Sequence, residues 1–490
     1  MRKIINTYGF PSAIITLAFV YLFFPSNNLS MDPLNYGCEV KYGETLFEPH
    51  HLLYSYFNYL LYNFCNTISP FHIDVLKFMQ CLNGIFAILC LFLFNRLLQK
   101  FMNDKPKANA WTLFAGCCFG VMRYAVDAET YIIPIFFSLL SSWYYLNYLT
   151  TAQSKNVWFA GVFASLACLF HQIHLFWGIG LFLGFLRTRK IKNVFYFSIP
   201  AFSVLAVYSI VLIFYDKISF SFNHLIRLLF HYYYSDSADV HLGSVNFIMT
   251  PISFFRTFFQ VHGVISDILR LIPFFYILFL PVLFFIALSV YYFKKEVKFK
   301  KEKLWSNDFQ SIHLLIFALQ LGFAFFSHGN AKFMVMLPFL IPFFIYLFLD
   351  FKLKPIVYLS LAMLIWNFCF AIFPDHYFDY QNNKELIAFI KENPDKVFVL
   401  KESNNVACQY YYETGVSADD RIVSNIKIDT IRNFFNENKI IYTDVLTKKV
   451  PFNRADIALS SPQMDFVFVR RIKPIDTILG GFYIDEVVPK

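Results

Sequence analysis

The sequence predicts an all-α polytopic membrane bundle, with about eleven transmembrane helices and a small C-terminal α/β domain. Three observations support this fold class. Of the 490 residues, 57% are hydrophobic and only 15% are charged, which is too few charges to cover a soluble protein of this length. The apolar residues gather into runs of about 20, the length that a helix needs to cross hydrocarbon. Segments rich in Lys and Arg recur between these runs.

The apolar runs define the predicted spans. We interpret the first run, which follows Arg2 and Lys3, as an uncleaved span, because Pro25–Ser30 lacks the small-x-small pattern of a signal-peptide cleavage site. Two shorter runs are separated by His171-Gln172-Ile173-His174, which predicts a broken pair. The spans are placed at approximately 8–24, 75–95, 108–122, 131–149, 157–170, 174–187, 193–215, 271–293, 311–327, 333–349 and 355–373.

The basic residues predict the orientation. With a cytoplasmic N-terminus, every second connection lies in the cytoplasm, and those connections contain most of the Lys and Arg residues. Three long elements then lie on the outer face, at approximately 25–74, 216–270 and 374–490. The net charge of +9 therefore reflects membrane orientation and does not indicate nucleic-acid binding. The basic loops and short connections favour a bacterial inner membrane.

Two domains are predicted, a transmembrane domain over 1–373 and an extracytoplasmic α/β domain over 374–490. In the second domain charges become frequent and apolar runs shorten. Helical and strand patterns alternate there, which is typical of an α/β fold. The predicted elements are helices at Lys384–Glu392 and Ile428–Asn438 and strands at Lys396–Lys401, Ile440–Leu446 and Phe466–Arg470.

The candidate functional residues are acids and histidines of the predicted outer connections. Acidic groups near a bilayer are energetically costly, so their clustering there indicates function. The first outer loop supplies three candidate catalytic carboxylates, Asp32, Glu44 and Glu48, followed by His50 and His51 as substrate-binding candidates. Two further outer connections supply the other substrate-binding candidates, which are Arg123, Asp127, Glu129, His328 and Lys332. We expect the first loop and the Asp127-x-Glu129 segment to meet at one cavity.

These residue types suit group transfer from a lipid-linked donor. A carboxylate at the membrane surface can take a proton from an acceptor hydroxyl. A Lys or Arg near the interface can bind the donor phosphate. A divalent metal such as Mg²⁺ or Mn²⁺ is a possible cofactor, although the sequence fixes no ligand set for it. The sequence contains no glycine-rich phosphate loop, so a polyprenyl-phosphate donor suits a membrane cavity better than a soluble nucleotide.

At these residues the chain resembles the GT-C integral membrane glycosyltransferases, which include the protein O-mannosyltransferases and the aminoarabinose transferase of lipid A. The shared features are an acid soon after the first span, a second acidic cluster in the next outer loop, many aromatics and an outward C-terminal domain. The resemblance implies inverting transfer of a sugar from a polyprenyl-phosphate donor, with the first-loop acid as base and Asp32 as its positional equivalent. The family often has Asp-Glu in tandem, whereas Pro33 follows Asp32 here. The stretch Phe47-Glu-Pro-His-His-Leu52 looks like one in uncharacterised bacterial members. Because the tandem Asp-Glu is absent, the base remains open among Asp32, Glu44 and Glu48.

Each candidate also has a structural interpretation. An Asp followed by Pro, as at Asp32-Pro33, often begins a turn. Asp127 and Glu129 suit the N-terminus of the following span. Arg123 and Lys332 are candidates either for phosphate binding or for snorkelling towards headgroups. His171 and His174, three residues apart, are expected on one helical face, either as metal ligands or at the interface between two half-spans. A disulfide between Cys38 and Cys65 is a further hypothesis, because both lie in the first outer loop.

Three functions compete at this point. The first is a glycosyltransferase acting between a lipid-linked sugar and a saccharide, lipid or protein acceptor. The second is a transporter or flippase of lipid-linked saccharides, which would more often place charges and broken helices at mid-membrane in paired halves. The third is a noncatalytic scaffold. The concentration of acids in outer loops favours the transferase.

Overall fold

The computed structural model describes residues 10–235, 242–261, 264–300, 305–418, 420–423, 428–444, 467–478 and 480–489. The chain divides into two compact units. The membrane unit comprises Met1–Pro25 and Thr45–Phe373, and the C-terminal unit comprises Ser26–Glu44 and Pro374–Lys490. The predicted first outer loop, 25–74, is therefore divided between the two units.

Helices dominate the described residues. In chain order the α-helices are α1 (Phe10–Phe23), α2 (Met31–Tyr42), α3 (Tyr54–Ile68), α4 (Val75–Met102), α5 (Lys105–Cys117), α6 (Phe119–Ala125), α7 (Ile132–Thr151), α8 (Ser154–Phe170), α9 (Leu175–Arg187), α10 (Ile191–Ile210), α11 (Phe222–Leu229), α12 (His231–Tyr234), α13 (Ser244–Phe258), α14 (Val264–Leu271), α15 (Phe279–Glu296), α16 (Asp308–Phe326), α17 (Leu337–Phe348), α18 (Leu353–Asn367), α19 (Phe373–Tyr377), α20 (Asn383–Glu392), α21 (Ser403–Thr414) and α22 (Ile428–Asn436).

Six helical stretches of the described residues are long and apolar enough to cross a membrane. They are Val75–Met102, Ile132–Thr151, Ile191–Tyr215, Pro273–Glu296, Asp308–Phe326 and Leu353–Tyr377. Shorter apolar helices cover Ser12–Phe23, Ser154–Phe170, Gln172–Arg187 and Leu337–Phe348. Each of these stretches overlaps one predicted span. The remaining predicted span, 108–122, is interrupted at Cys118, where α5 ends and the short helix α6 begins.

Close helix packing forms the core of the membrane unit. Helix α4 packs against α1, α5 and α7, and α8 packs against α7 and α10. A Cβ atom on Gly161 of α8 would lie 2.6 Å from the carbonyl oxygen of Phe197 in α10, so only glycine fits this crossing. Small residues that let backbones approach are typical of helix packing in membranes, where dispersion contacts drive association.

The predicted break between α8 and α9 is present. Helix α8 ends at Phe170, His171 has extended backbone, and Gln172–His174 form one turn of 3₁₀-helix before α9. The two histidines therefore do not share a regular α-helical face, contrary to the prediction. Gln172 stabilises the break, because its side-chain amide donates to the carbonyl oxygens of Pro49 and Leu229, both at 3.0 Å.

The C-terminal unit combines helices with a five-stranded sheet. Helix α2 packs against α21 within this unit. The sheet order is β4-β3-β5-β7-β6, with β3 parallel to β4 and β5 and with β7 antiparallel to β5 and β6. The strands are β3 (Val397–Val399), β4 (Ile422–Val423), β5 (Ile441–Thr443), β6 (Val467–Thr477) and β7 (Gly480–Pro489), while β1 (Lys298–Phe299) and β2 (Leu349–Asp350) pair in the membrane unit.

The C-terminal elements differ from the prediction in extent and number. Helices α20 and α22 and strands β3 and β5 overlap predicted elements, and β6 extends the strand expected at Phe466–Arg470 as far as Thr477. Helix α21 and strands β4 and β7 were not predicted. Apolar side chains of α20, including Ile387 and Ile390, join the same buried cluster as Phe398 and Ile484 of the sheet.

Candidate active site

The segment after α6 carries the second predicted acidic cluster. Asp127 and Glu129 are buried, with only 1% and 2% of their surfaces exposed. Helix α4 holds this segment through Asn83, whose side-chain amide donates to the carbonyl oxygens of both acidic residues at 2.7 Å. The position of the acids is thus set by a buried residue of a neighbouring helix.

Each acid of this segment forms an ion pair. Asp127 Oδ2 lies 3.1 Å from an Arg123 guanidinium nitrogen, one helical turn earlier, and Asp127 Oδ1 accepts the Ala128 N–H at 2.8 Å. Glu129 Oε1 lies 2.7 Å from Lys332 Nζ. A buried carboxylate is stable only when it is paired and hydrogen-bonded, so these cations permit the acids to be charged. Four of the predicted residues, Arg123, Asp127, Glu129 and Lys332, are therefore brought together.

A tight turn between α16 and α17 presents Lys332. His328 and Gly329 both have positive φ, at 54° and 65°, and the Asn330 side chain accepts the Lys332 N–H at 3.0 Å. A Cβ atom on Gly329 would lie 2.4 Å from the Thr250 nitrogen of α13, so the turn packs directly against that helix. His328 is part of the same turn and is partly exposed.

A third cation, Arg256 of α13, lies near Arg123, and α13 also packs against the turn that carries Lys332. Among the described residues no carboxylate forms an ion pair with Arg256, whose guanidinium lies 5.9 Å from the centre of the Phe119 ring. Burial lowers the pKa of Arg256, and the nearby Arg123 lowers it further, whereas Tyr124 acts in the opposite direction. Arg123, Lys332 and the two acids all influence the pKa of the same Tyr124, which burial raises. We call Arg123, Arg256 and Lys332 the cation cluster.

The cation cluster was only partly predictable. Arg256 was visible in the sequence as one of the scattered basic residues of the 216–270 segment. Nothing in its local pattern distinguished it from Arg227, which lies over the Tyr234 ring. The tertiary packing of α13 against α6 creates the distinction, because Gly120 of α6 lies against Thr257, the residue that follows Arg256.

The first-loop histidines lie in the membrane unit. His51 lies 5.2 Å from His171 between ring centres, and Tyr131 lies 5.0 Å from His171. Burial, His50 and Lys332 together lower the pKa of His51 to about 3, so its imidazole is neutral at physiological pH. His174 makes a separate contact, in which its Nδ1 lies 2.7 Å from the Ser138 hydroxyl.

Glu48 contacts the segment that follows α11. The Tyr232 hydroxyl donates to Glu48 Oε2 at 3.3 Å, and the His50 ring lies 3.9 Å from the Tyr232 ring. Burial raises the pKa of Glu48, whereas the Tyr232 hydrogen bond and the nearby His231 lower it. Tyr232 was not predicted from the sequence, where it is one of many interface aromatics.

Asp32 and Glu44 belong to the C-terminal unit. Asp32 lies in the first turn of α2, and Glu44 Oε2 accepts the Tyr411 hydroxyl at 2.8 Å. This hydrogen bond is the main reason that the pKa of Tyr411 is raised to about 12. Cys38, also on α2, is buried and lies 3.7 Å from the Cys408 carbonyl oxygen, whereas Cys65 is in the membrane unit. Both are unbonded thiols, so the predicted Cys38–Cys65 disulfide is wrong for this structure.

The acids do not present an open metal site. Within the described ranges no three His, Cys, Asp or Glu side chains are arranged to hold a metal ion. Asp127 and Glu129 each carry an ion pair, and a divalent cation would have to displace Arg123 or Lys332 to bind them. His171 and His174 likewise have no third ligand among the described residues.

Comparisons with known proteins agree with this architecture. The chain aligns with the oligosaccharyltransferase of Archaeoglobus fulgidus crystallised with zinc and sulfate, at 11% identity and a TM-score of 0.51, over 90% of this chain and 68% of that one. This chain shares the fold of that oligosaccharyltransferase. The same archaeal enzyme, AglB, solved with an inhibitory peptide and dolichol phosphate, aligns at 12% identity and a TM-score of 0.51, over 91% of this chain and 70% of that one.

A third GT-C structure, ArnT from Cupriavidus metallidurans bound to undecaprenyl phosphate, aligns at 9% identity and a TM-score of 0.43, over 97% of both chains. No protein-family model matches the sequence, and no curated protein is similar to it. The fold likeness therefore rests on the alignments with the archaeal oligosaccharyltransferase, and it agrees with the fold class expected from the sequence.

Proposed function

We propose that the chain is a membrane glycosyltransferase that transfers a sugar from a polyprenyl-phosphate-linked donor to an acceptor at the outer face of the membrane. The cation cluster is the observation that carries this proposal. Arg256 lies near the paired Arg123, on the helix that packs against the turn carrying Lys332, and no carboxylate among the described residues forms an ion pair with Arg256. A partly buried guanidinium without a carboxylate is a suitable partner for a phosphate. The GT-C neighbour AglB was solved with a polyprenyl phosphate, dolichol phosphate, which supports the same donor class here.

The proposed reaction inverts the configuration at the anomeric carbon of the transferred sugar. A first-loop carboxylate, Asp32, Glu44 or Glu48, accepts the proton of an acceptor hydroxyl. The acceptor oxygen then forms a bond to the anomeric carbon as the bond from that carbon to the phosphate oxygen breaks. The polyprenyl phosphate leaves with one additional negative charge, which the cation cluster offsets. His50, His51 and His328 remain candidates for contacts with the sugar or phosphate.

The structure also suggests a role for the paired acids. Asp127 and Glu129 hold Arg123 and Lys332 in fixed positions, and fixed charges stabilise a developing anion better than mobile ones. The two acids therefore act through the cations, as positioning residues for the donor phosphate. The hydroxyl-bearing acceptor is a saccharide, a lipid or a protein.

The first test is transfer by purified protein in proteoliposomes containing radiolabelled polyprenyl-phosphate hexoses or pentoses and a membrane-lipid or glycan acceptor. Arg256→Gln is compared with wild type, and Arg227→Gln is the matched control because Arg227 lies in the same outer segment over the Tyr234 ring. We expect Arg256→Gln to raise the donor KM about 10- to 100-fold, as expected for losing a charged hydrogen bond. Arg227→Gln should leave it unchanged.

The same assay addresses the alternatives. Release of labelled product, with stoichiometric free lipid phosphate, supports a transferase. Movement of labelled donor between leaflets without any product would instead support a flippase and contradict the proposal. Parallel reactions with Mg²⁺, Mn²⁺ or EDTA test the possible metal. Asp32→Asn, Glu44→Gln and Glu48→Gln, compared at equal expression, identify the base.

A further inference from the structure

The surroundings of Glu48 suit a general base. Glu48 is partly buried, and no Lys or Arg among the described residues forms an ion pair with it. Its Oε2 accepts the Tyr232 hydroxyl, and burial together with His231 lowers the pKa of the adjacent His50 to about 4, so the His50 imidazole is uncharged at neutral pH. A carboxylate in such surroundings is a stronger base than one held by a permanent cation.

The backbone around Glu48 is held at several points. The Glu48 carbonyl oxygen accepts the His51 N–H at 3.0 Å, and the Pro49 carbonyl oxygen accepts the Tyr208 hydroxyl. Further along the loop, the Leu53 N–H donates to the Leu169 carbonyl oxygen at 3.0 Å. Because Leu169 and Tyr208 belong to α8 and α10, the backbone at Glu48 is held against the membrane unit, and the Tyr232 hydroxyl orients the carboxylate. Fixed geometry is what a proton-transfer group requires.

The other candidate carboxylates are differently placed. Asp32 lies in the first turn of α2, which belongs to the C-terminal unit. Glu44 is exposed and accepts a hydrogen bond from the Tyr411 hydroxyl of the same unit. Asp127 and Glu129 are ion-paired. Glu48 differs from all four, because it combines partial burial, no Lys or Arg partner and a tyrosine partner.

We propose that Glu48 is the general base of the transfer reaction and that Tyr232, contributed by the outer segment 216–270, is a positioning residue that sets its basicity. This assignment rests on the proposed glycosyl transfer. Glu48 takes the proton of the acceptor hydroxyl as that oxygen bonds to the anomeric carbon, and the polyprenyl phosphate departs with the electron pair of the broken bond. The acceptor hydroxyl therefore binds beside Glu48, His50 and Tyr232.

This assignment predicts a specific pH dependence. The groups that face Glu48 are Tyr232 and His231 from α12, together with His50 from its own loop. The base must be ionised to act, so transfer should increase with pH through the pKa of Glu48, which burial raises above its ordinary value. The Tyr232 hydrogen bond lowers that pKa, so its removal should move the acidic limb of the pH profile to higher pH.

The first experiment compares Glu48→Gln with Glu48→Asp in the proteoliposome transfer assay. We expect Glu48→Gln to reduce kcat about 10²- to 10⁴-fold with an unchanged donor KM, whereas Glu48→Asp should retain measurable transfer. Retention of wild-type kcat in Glu48→Gln would overturn the proposal, as would complete loss in Asp32→Asn with little change in Glu48→Gln. Absence of transfer by wild type would instead contradict the proposed function itself.

The second experiment measures kcat against pH for Tyr232→Phe, with Tyr233→Phe as the matched control on the same short helix. Tyr232→Phe should shift the acidic limb to higher pH and largely keep the plateau rate, because Glu48 remains present. Tyr233 is exposed and should leave the profile unchanged. An unshifted limb in Tyr232→Phe, or the same shift in Tyr233→Phe, would overturn the role assigned to Tyr232.

Discussion

At the scale of single residues, the chemistry depends on how each buried charge is compensated. Glu129 is nearly inaccessible, whereas its partner Lys332 retains 30% of its side-chain surface. The carboxylate of the pair is thus shielded from solvent, whereas the ammonium group is accessible. A ligand anion can approach the ammonium group without displacing the buried carboxylate. Lys332 can therefore stabilise the fold and also take part in the proposed phosphate binding.

This arrangement predicts different effects of single and double substitutions. Lys332→Met removes the cation that pairs with the buried Glu129 carboxylate, which should destabilise the protein by about 3–5 kcal/mol. Adding Glu129→Gln removes the buried charge and should restore most of the stability, but donor binding should remain weak because the cation is still absent. Thermal unfolding in detergent, followed by tryptophan fluorescence, measures the first effect, and donor KM measures the second. Recovery of donor affinity in the double variant would exclude Lys332 from phosphate binding.

At the scale of elements, the turn between α16 and α17 determines where Lys332 is presented. Gly329 has a φ of 65° and lies against the backbone of Met249 and Thr250 in α13, the helix that also carries Arg256. One glycine therefore sets the spacing between two elements that supply cations. Any added side chain must push the turn and α13 apart.

Gly329→Ala should therefore reduce both stability and donor affinity. The left-handed backbone and the 2.4 Å approach to the Thr250 nitrogen should together destabilise the fold by about 1–3 kcal/mol. Gly322→Ala in α16 is the matched control, because a Cβ atom there meets nothing within 4 Å and alanine favours a helix. Thermal unfolding and donor KM are measured for both variants. Equal behaviour of the two would show that the turn tolerates a side chain.

The sequence predicted the secondary-structure elements better than the tertiary contacts between them. Apolar runs of membrane length located the helical stretches, and His171–His174 marked the break between α8 and α9. Strand β7 and helix α21 were missed, because half-buried elements of a small domain lack long periodic runs. At the site, the acids were identified from their chemistry, but Asn83, Arg256 and Tyr232 depend on tertiary packing that local patterns do not encode.

At the scale of the whole molecule, the predicted first outer loop contributes residues to both units. Residues 26–44, with Asp32 and Glu44, belong to the C-terminal unit, whereas Glu48, His50 and His51 belong to the membrane unit. From the sequence this loop is predicted to be one segment, because the composition does not change at the boundary between the units, Gly43-Glu-Thr45. The proposed reaction requires Glu48 and the cation cluster of the membrane unit to face the compartment that holds the acceptor.

That requirement makes the orientation of the chain a test of the proposed function. Alternating basic connections predict a cytoplasmic N-terminus and an extracytoplasmic C-terminal unit. Fusions made after Met102 and after Lys490 should therefore differ in a bacterial host. Green fluorescent protein should fluoresce only at the first position, and alkaline phosphatase should be active only at the second. The opposite result would place the Asp127–Glu129 segment and the cation cluster in the cytoplasm, contradicting transfer at the outer face.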